Sequence, residues 1–134
     1  MHIVREMLDT YPADFGETDK AKLASCIQAC AECGQACTTC ADACLSEDMV
    51  AELVTCIRTD LDCADMCLAT ERMLSRRTGY DANLTRSFLE ACAAACKACG
   101  DECEHHASMH EHCRICAEAC HRCEQACREL LSAF

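Results

Sequence analysis

Cysteines recur along this chain at the spacing of one face of an α-helix. The sequence holds 18 cysteines in 134 residues, and consecutive cysteines within a run are three, four or seven residues apart. Such steps place every member of a run on one stripe of a helix, where a bundle helix normally carries leucine. The four runs are Cys26, Cys30, Cys33, Cys37, Cys40 and Cys44; Cys56, Cys63 and Cys67; Cys92, Cys96, Cys99 and Cys103; and Cys113, Cys116, Cys120, Cys123 and Cys127. The sequence therefore predicts helices that pack against one another with thiols in their core.

Capping and terminating residues predict where the helices begin and end. We expect a short helix over residues 2–9 and long helices over residues 19–45, 46–77, 81–106 and 108–134. The starts of the long helices are marked by Thr18 or Asp19, by Ser46, by Asp81 and by a capping box that begins at Ser108. Because every connection is short, consecutive helices should be antiparallel neighbours. The predicted fold is all-α, an antiparallel up-down-up-down four-helix bundle over residues 18–134 after a short N-terminal helix and linker over residues 1–17.

Charge and cysteine usage narrow the range of partners. The net charge of −11 disfavours binding to nucleic acids and to anionic membranes. No signal peptide or membrane-spanning stretch is recognisable, so the expected compartment is the cytoplasm, where thiols stay reduced.

Disulfides within a helix are excluded by distance, since Cβ atoms four residues apart are about 5–6 Å apart and a disulfide needs about 3.8 Å. Dense cysteine in this setting favours metal binding.

Thiolate is a soft ligand that selects Cu(I), zinc or iron–sulfur clusters. Cu(I) is favoured because one ion can replace each thiol proton without charging the core, whereas Zn(II) held by four thiolates carries a net charge of about −2. No proline follows a cysteine, as it does in common iron–sulfur loops, and the stripes do not divide into separate sets of four. If each sulfur bridges two two-coordinate ions, the chain holds roughly 18 Cu(I), about one per cysteine. An iron–sulfur or zinc protein is the alternative.

The two ends of the predicted bundle differ in chemistry. One end should be an apolar plug that continues the cysteine stripes with Leu23, Leu74, Phe88 and Leu130. The other end collects Cys44, Met49, Cys103, His106, Met109, His110 and Cys113. Copper should arrive at this histidine end, because an incoming Cu(I) ion needs accessible soft or borderline ligands. Its expected first ligands are His106, His110 and Met109.

The repeated C-x-x-x-C-x-x-C-x-x-x-C stripes on four antiparallel helices resemble the cytosolic branch of the bacterial copper storage proteins. The resemblance covers about residues 18–134. It implies a homotetramer of four-helix bundles, each filled with Cu(I) through inward-pointing cysteines, and it carries the ligand role to all 18 cysteines. Asp60 departs from the thiol stripe between Cys56 and Cys63, which leaves open whether this level offers a ligand or only a hydrogen-bond acceptor.

The sequence also bears on the partners of the protein and on whether it is an enzyme. The expected partners are copper ions, with copper donor or acceptor proteins or small thiols to exchange them. Nothing singles out one nucleophile and a thiol-filled core offers no substrate pocket, so the chain is not expected to be an enzyme.

The second long helix carries a further apolar stripe of Val50, Val54, Ile57, Leu61 and Leu68. This stripe is either part of a wide core face or a subunit interface.

Overall fold

Helices account for all the regular secondary structure of residues 2–134, which the computed structural model describes without the side chain of His2. They are α1 (His2–Asp9), α2 (Lys20–Leu45), α3 (Val54–Ser75), α4 (Ala82–Glu104) and α5 (Glu111–Leu131), with a single 3-10 turn over Val50–Glu52. Helices α2 and α4 each pack on both α3 and α5, and α1 packs on α2. The predicted all-α four-helix bundle is confirmed, while a domain boundary at residue 17 stays a prediction.

Aspartate caps begin α2 and α4 where the sequence predicts them. The Asp19 carboxylate accepts a hydrogen bond of 3.0 Å from the backbone N–H of Lys22. The Asp81 carboxylate accepts from the N–H groups of Asn83 and Leu84 at 2.9 and 3.1 Å. Each bond satisfies a backbone donor that has no partner within the first turn of the helix. Local chemistry is therefore sufficient to start these two helices.

The predicted starts of α3 and α5 are wrong. Ser46 ends α2, since its N–H donates to the carbonyl of Ala43, and α3 begins only at Val54. The capping box at Ser108 does not form, because α4 ends at Glu104 and α5 begins at Glu111. In each connection the residue just before the observed start of the helix is buried: Leu53 before α3 and His110 before α5. Burial of these side chains across the end of the bundle overrides the weaker local signal of a serine.

Leucines close one end of the bundle. Leu23, Leu74 and Leu130 are buried there as predicted, but Phe88 is only half-buried and the fourth member is Leu89. The prediction placed the stripe one residue off. The step from Cys92 to Cys96 is four residues, so the alternation requires a step of three before Cys92, which leads to Leu89 and not to Phe88. Four fully or almost fully buried leucines thus follow the last cysteines at this end.

The second apolar stripe of α3 faces mostly away from the core. Val54, Leu61 and Leu68 are 62%, 48% and 42% exposed. Leu68 lies over Gly34 of α2, where an added Cβ would be 2.8 Å from the leucine Cδ2 atom. The glycine therefore lets α3 lie close to α2 while most of the stripe stays on the surface. Over residues 2–134, no helix combines the length and the apolar character that crossing a membrane requires.

Candidate metal centre

All 18 cysteines point into the bundle as free thiols. None of them is more than 1% exposed. Their burial follows from the heptad spacing, which directs each stripe towards the centre of the bundle. The core is therefore built largely from sulfur, with leucine confined mainly to its closed end.

The sulfur atoms form one continuous column along the bundle. Hydrogen-bonded Sγ atoms on different helices lie 3.5–3.9 Å apart. The column runs from the Cys26–Cys127 pair beside the leucines to the Cys40–Cys113 pair at the other end. These separations are longer than the S–S bond of about 2.05 Å, and they leave room for an ion to lie between sulfurs.

Sets of four sulfurs overlap along this column. Five of the sets whose Sγ atoms all lie within 4.8 Å of one another are Cys30, Cys92, Cys123 and Cys127; Cys33, Cys63, Cys67 and Cys96; Cys33, Cys37, Cys63 and Cys120; Cys37, Cys99, Cys116 and Cys120; and Cys40, Cys44, Cys56 and Cys113. Cys33, Cys37, Cys63 and Cys120 each belong to two of these sets. A sulfur shared between sets can bridge two ions, so the geometry suits linked clusters better than isolated tetrahedral sites.

Burial keeps the thiols of Cys44 and Cys113 protonated in the metal-free protein. Burial, with the neighbouring Cys40 and Cys56, raises the pKa of Cys44 to about 12. Burial likewise raises the pKa of Cys113 above its usual range. A metal ion that binds these sulfurs must therefore displace their protons. A monovalent ion that replaces one proton leaves the charge of the core unchanged.

Asp60 takes the place of a thiol within the column. Its side chain is fully buried, and its Oδ1 atom accepts hydrogen bonds from Cys99, Cys116 and Cys103 at 2.9, 3.3 and 3.4 Å. Its Oδ2 atom has no hydrogen-bond partner among the described residues. Burial, together with the nearby cysteines, raises the pKa of this carboxyl far above its usual range. Asp60 is therefore a neutral acid in the metal-free protein.

Histidines surround the end of the column that lies opposite the leucines. His110 is buried, with its Nε2 atom 3.3 Å from the Sδ atom of Met49. His106 is half-buried, and its Nε2 atom lies 3.1 Å from a carboxylate oxygen of Glu102. Met109 is 61% exposed, so the thioether that the fold brings to a histidine is that of Met49. The column therefore ends among nitrogen and sulfur ligands, and we call this end the mouth.

His112 is a mouth residue that the sequence analysis did not single out. Its Nδ1 atom lies 3.3 Å from the Sγ atom of Cys40 and 3.7 Å from that of Cys113, and its Nε2 atom is 2.8 Å from a carboxylate oxygen of Glu47. The hydrogen bond from His112 lowers the pKa of Glu47. Burial lowers the pKa of His112, but the bonds to Cys40 and Glu47 outweigh it and raise the pKa overall. The sequence signal for this residue was its place at the turn that holds four of the six histidines, which does not by itself predict a contact with Cys40.

A helical bundle with this column and mouth defines a class of protein that holds many soft metal ions away from water. The chain belongs to the copper storage protein family, whose model matches residues 19–132. A comparison with curated protein sequences gives no match.

Three solved structures of similar chains are described with copper bound. The copper storage protein Ccsp from Streptomyces lividans, described as loaded with 10 copper equivalents, is 64% identical, with a TM-score of 0.96 over 98% of this chain and 99% of that one. A cytosolic copper storage protein from the same organism, with five coppers, is 58% identical, with a TM-score of 0.81 over 98% of both chains. Cu(I)-bound BsCsp3 from Bacillus subtilis is 36% identical, with a TM-score of 0.71 over 82% of this chain and 98% of that one.

Proposed function

We propose that this protein stores Cu(I) in the cytosol by binding many ions to the thiolates of its core. The observation that carries the proposal is the continuous column of buried sulfurs, with neighbours on different helices 3.5–3.9 Å apart. Cu(I) prefers soft thiolate ligands and accepts low coordination numbers. Replacement of one thiol proton by each Cu(I) keeps the buried core neutral. Zinc bound by four thiolates would add a charge of about −2 at every site.

The proposed ligands are all 18 cysteines, and the proposed capacity is about one Cu(I) per cysteine. The test is a titration of the reduced protein with Cu(I) against a competing chelator. Saturation near one ion per cysteine is the expected result, whereas saturation at four or fewer ions per chain would contradict the proposal. Loaded protein should be colourless, because Cu(I) is a d¹⁰ ion. A brown protein would favour the iron–sulfur alternative.

We further propose that copper enters and leaves at the mouth. His106, His110 and Met109 offer nitrogen and sulfur ligands near the end of the column, and Met109 is the most exposed of them. At the opposite end the cysteine stripes continue into the buried Leu23, Leu74, Leu89 and Leu130, whose side chains offer an ion no ligand. Replacing His106, His110 and Met109 together with alanine should slow loading and removal, while capacity falls by only a few ions.

The exposed His105 provides a matched control on the same turn. His105→Ala should load and release Cu(I) at the rates of the wild type. If the triple variant also kept both rates, the ions would enter between the helices instead of through the mouth.

We propose that four copies of the chain assemble. Val54, Leu61 and Leu68 give α3 an apolar stripe that is 42–62% exposed, as a helix at a subunit interface would have. Analytical ultracentrifugation at micromolar concentration should give the mass of a tetramer, four times 14.7 kDa. A monomer at that concentration would contradict the assembly.

We propose that the chain stores metal and does not catalyse a reaction. Every thiol is at most 1% exposed, so a substrate could reach a cysteine only after the bundle opened. The net charge of −11 disfavours nucleic acids and anionic membranes as partners. Copper donor or acceptor proteins, or small thiols, would exchange ions at the mouth.

A further inference from the structure

The chain before α2 packs on the leucine end of the bundle. Leu8 of α1 is only 6% exposed and belongs to the same buried apolar cluster as the leucines, and Phe15 packs against that cluster. The hydroxyl of Tyr11 lies 2.9 Å from that of Thr78, in the connection between α3 and α4. Residues 2–19 therefore link the start of α2 to the α3–α4 connection, and we call this segment the strap.

Arg77, in the same connection, is buried against the strap. It is 8% exposed, and its guanidinium carbon lies 4.0 Å from the ring centroid of Tyr80 and 5.5 Å from that of Phe15. Its Nη2 atom donates a hydrogen bond of 2.8 Å to the hydroxyl of Thr18. Phe15 and Thr18 both belong to the strap, so one side chain of the α3–α4 connection contacts it twice.

The surroundings of Arg77 stabilise its charge only weakly. Among the described side chains, its Nε atom has no hydrogen-bond partner, and none of their ion pairs includes Arg77. A buried cation without a carboxylate partner is costly, and two aromatic rings and one hydroxyl offset only part of that cost. Detachment of the strap would return the guanidinium to water, so the strap opens more easily than apolar contacts of the same extent would.

The helix of the strap adds little to this attachment. Helix α1 has eight residues, which is too few for a helix to be stable in isolation. Its side chains Ile3 and Met7 are 69% and 66% exposed. Segments with few buried contacts open at a lower cost than the core does. The strap can therefore detach while the four long helices stay folded.

The deepest sulfurs lie directly behind the leucines of this end. Cys26 follows Leu23 by three residues and Cys127 precedes Leu130 by three, and the two Sγ atoms are 3.8 Å apart. We propose that the strap closes this end of the sulfur column and that Arg77 is the latch that holds it shut. The consequence for copper rests on the proposed storage function: an open strap would give the deepest ions a second exit.

Alkylation of the reduced, metal-free protein tests the latch without copper. Iodoacetamide is kept below one modification per chain, and tandem mass spectrometry gives the initial rate at each cysteine. Arg77→Ala should raise the rates at Cys26 and Cys127 about tenfold, the lower end of the effect of losing a hydrogen bond to a charged group. The rates at Cys44 and Cys113, at the other end of the bundle, should stay those of the wild type.

The adjacent Arg76 provides a matched control, because it is exposed. Arg76→Ala should leave the rates at both ends of the bundle unchanged. An equal rise at both ends in Arg77→Ala would overturn the proposal, since Arg77 would then stabilise the bundle as a whole. No rise at Cys26 and Cys127 would overturn it too, since the leucines alone would then close this end.

A second variant keeps the test decisive if Arg77→Ala does not fold, which far-UV circular dichroism checks. Phe15→Ala removes the ring that the strap places against Arg77, at a half-buried position. It should raise the alkylation rates at the same two cysteines, Cys26 and Cys127, and at no cysteine of the other end. Rates equal to those of the wild type in this variant would contradict the strap.

Removal of Cu(I) from the loaded protein by a high-affinity chelator provides the second measurement. Arg77→Ala should speed the slowest phase of removal about tenfold, while capacity stays that of the wild type. An unchanged slowest phase would overturn the second exit. Failure of the storage function would look different, as a wild-type capacity of only a few ions, and the alkylation rates would still report on the strap.

Discussion

The neutral carboxyl of Asp60 should make the metal-free protein less stable as the pH rises. In the unfolded chain this group ionises near its ordinary pKa of 3.8, whereas burial raises the pKa in the folded protein above neutrality. Between these two values the folded state holds one more proton than the unfolded state. The free energy of unfolding therefore falls with rising pH, by about 1.4 kcal/mol per pH unit for this one proton.

Asp60→Asn removes the titrating proton and keeps the size of the side chain. Two pH units separate pH 5 from pH 7, so the stability of the variant relative to the wild type should rise by about 2.7 kcal/mol over that interval. The other ionisable groups are common to both proteins and cancel in the comparison. The difference is thus a measure of Asp60 alone.

Urea unfolding of reduced, metal-free protein, followed by far-UV circular dichroism at several pH values, measures this difference. Asp62→Asn makes the same change at an exposed position of α3, and its curve should run parallel to that of the wild type. Parallel curves for Asp60→Asn and the wild type would refute the reasoning, because Asp60 would then lose its proton equally easily in both states.

Two further predictions concern the metal-free bundle. Leu89→Ala should lower the free energy of unfolding by about 2–5 kcal/mol, because it opens a cavity at a fully buried position. Phe88→Ala, at a half-buried position, should lower it by less. Equal losses in urea unfolding would contradict the placement of Leu89, and not Phe88, in the closed end of the bundle. The reduced, metal-free protein should already be helical by far-UV circular dichroism, because buried thiols pack as small hydrophobes without an ion. A coil-like spectrum would mean that the protein folds only with metal, as zinc fingers do.

Features with a local cause could be predicted from the sequence. The heptad spacing of cysteine determines which side of each helix is buried, so the all-α bundle followed from the pattern alone. Asp19 and Asp81 cap their helices through hydrogen bonds that span only two or three residues. Such short-range geometry needs no knowledge of the rest of the chain.

Features set by distant contacts could not be predicted. Serine is a good cap, but Ser46 and Ser108 lie in connections whose path depends on burying Leu53 and His110. The contact between His112 and Cys40 joins residues 72 positions apart. Only the folded connections bring that nitrogen to the sulfur column.

If copper passes only through the mouth, as proposed, the leucines at the other end of the bundle would give the store an order of use. A container with a single opening behaves as a stack, in which the ion that arrives last is the first to leave. Ions beside Cys26 and Cys127 would be deep reserves that exchange slowly, while those beside Cys40 and Cys113 would serve immediate demand. One protein of uniform ligand chemistry could in this way hold both a rapid and a long-term supply, separated only by depth.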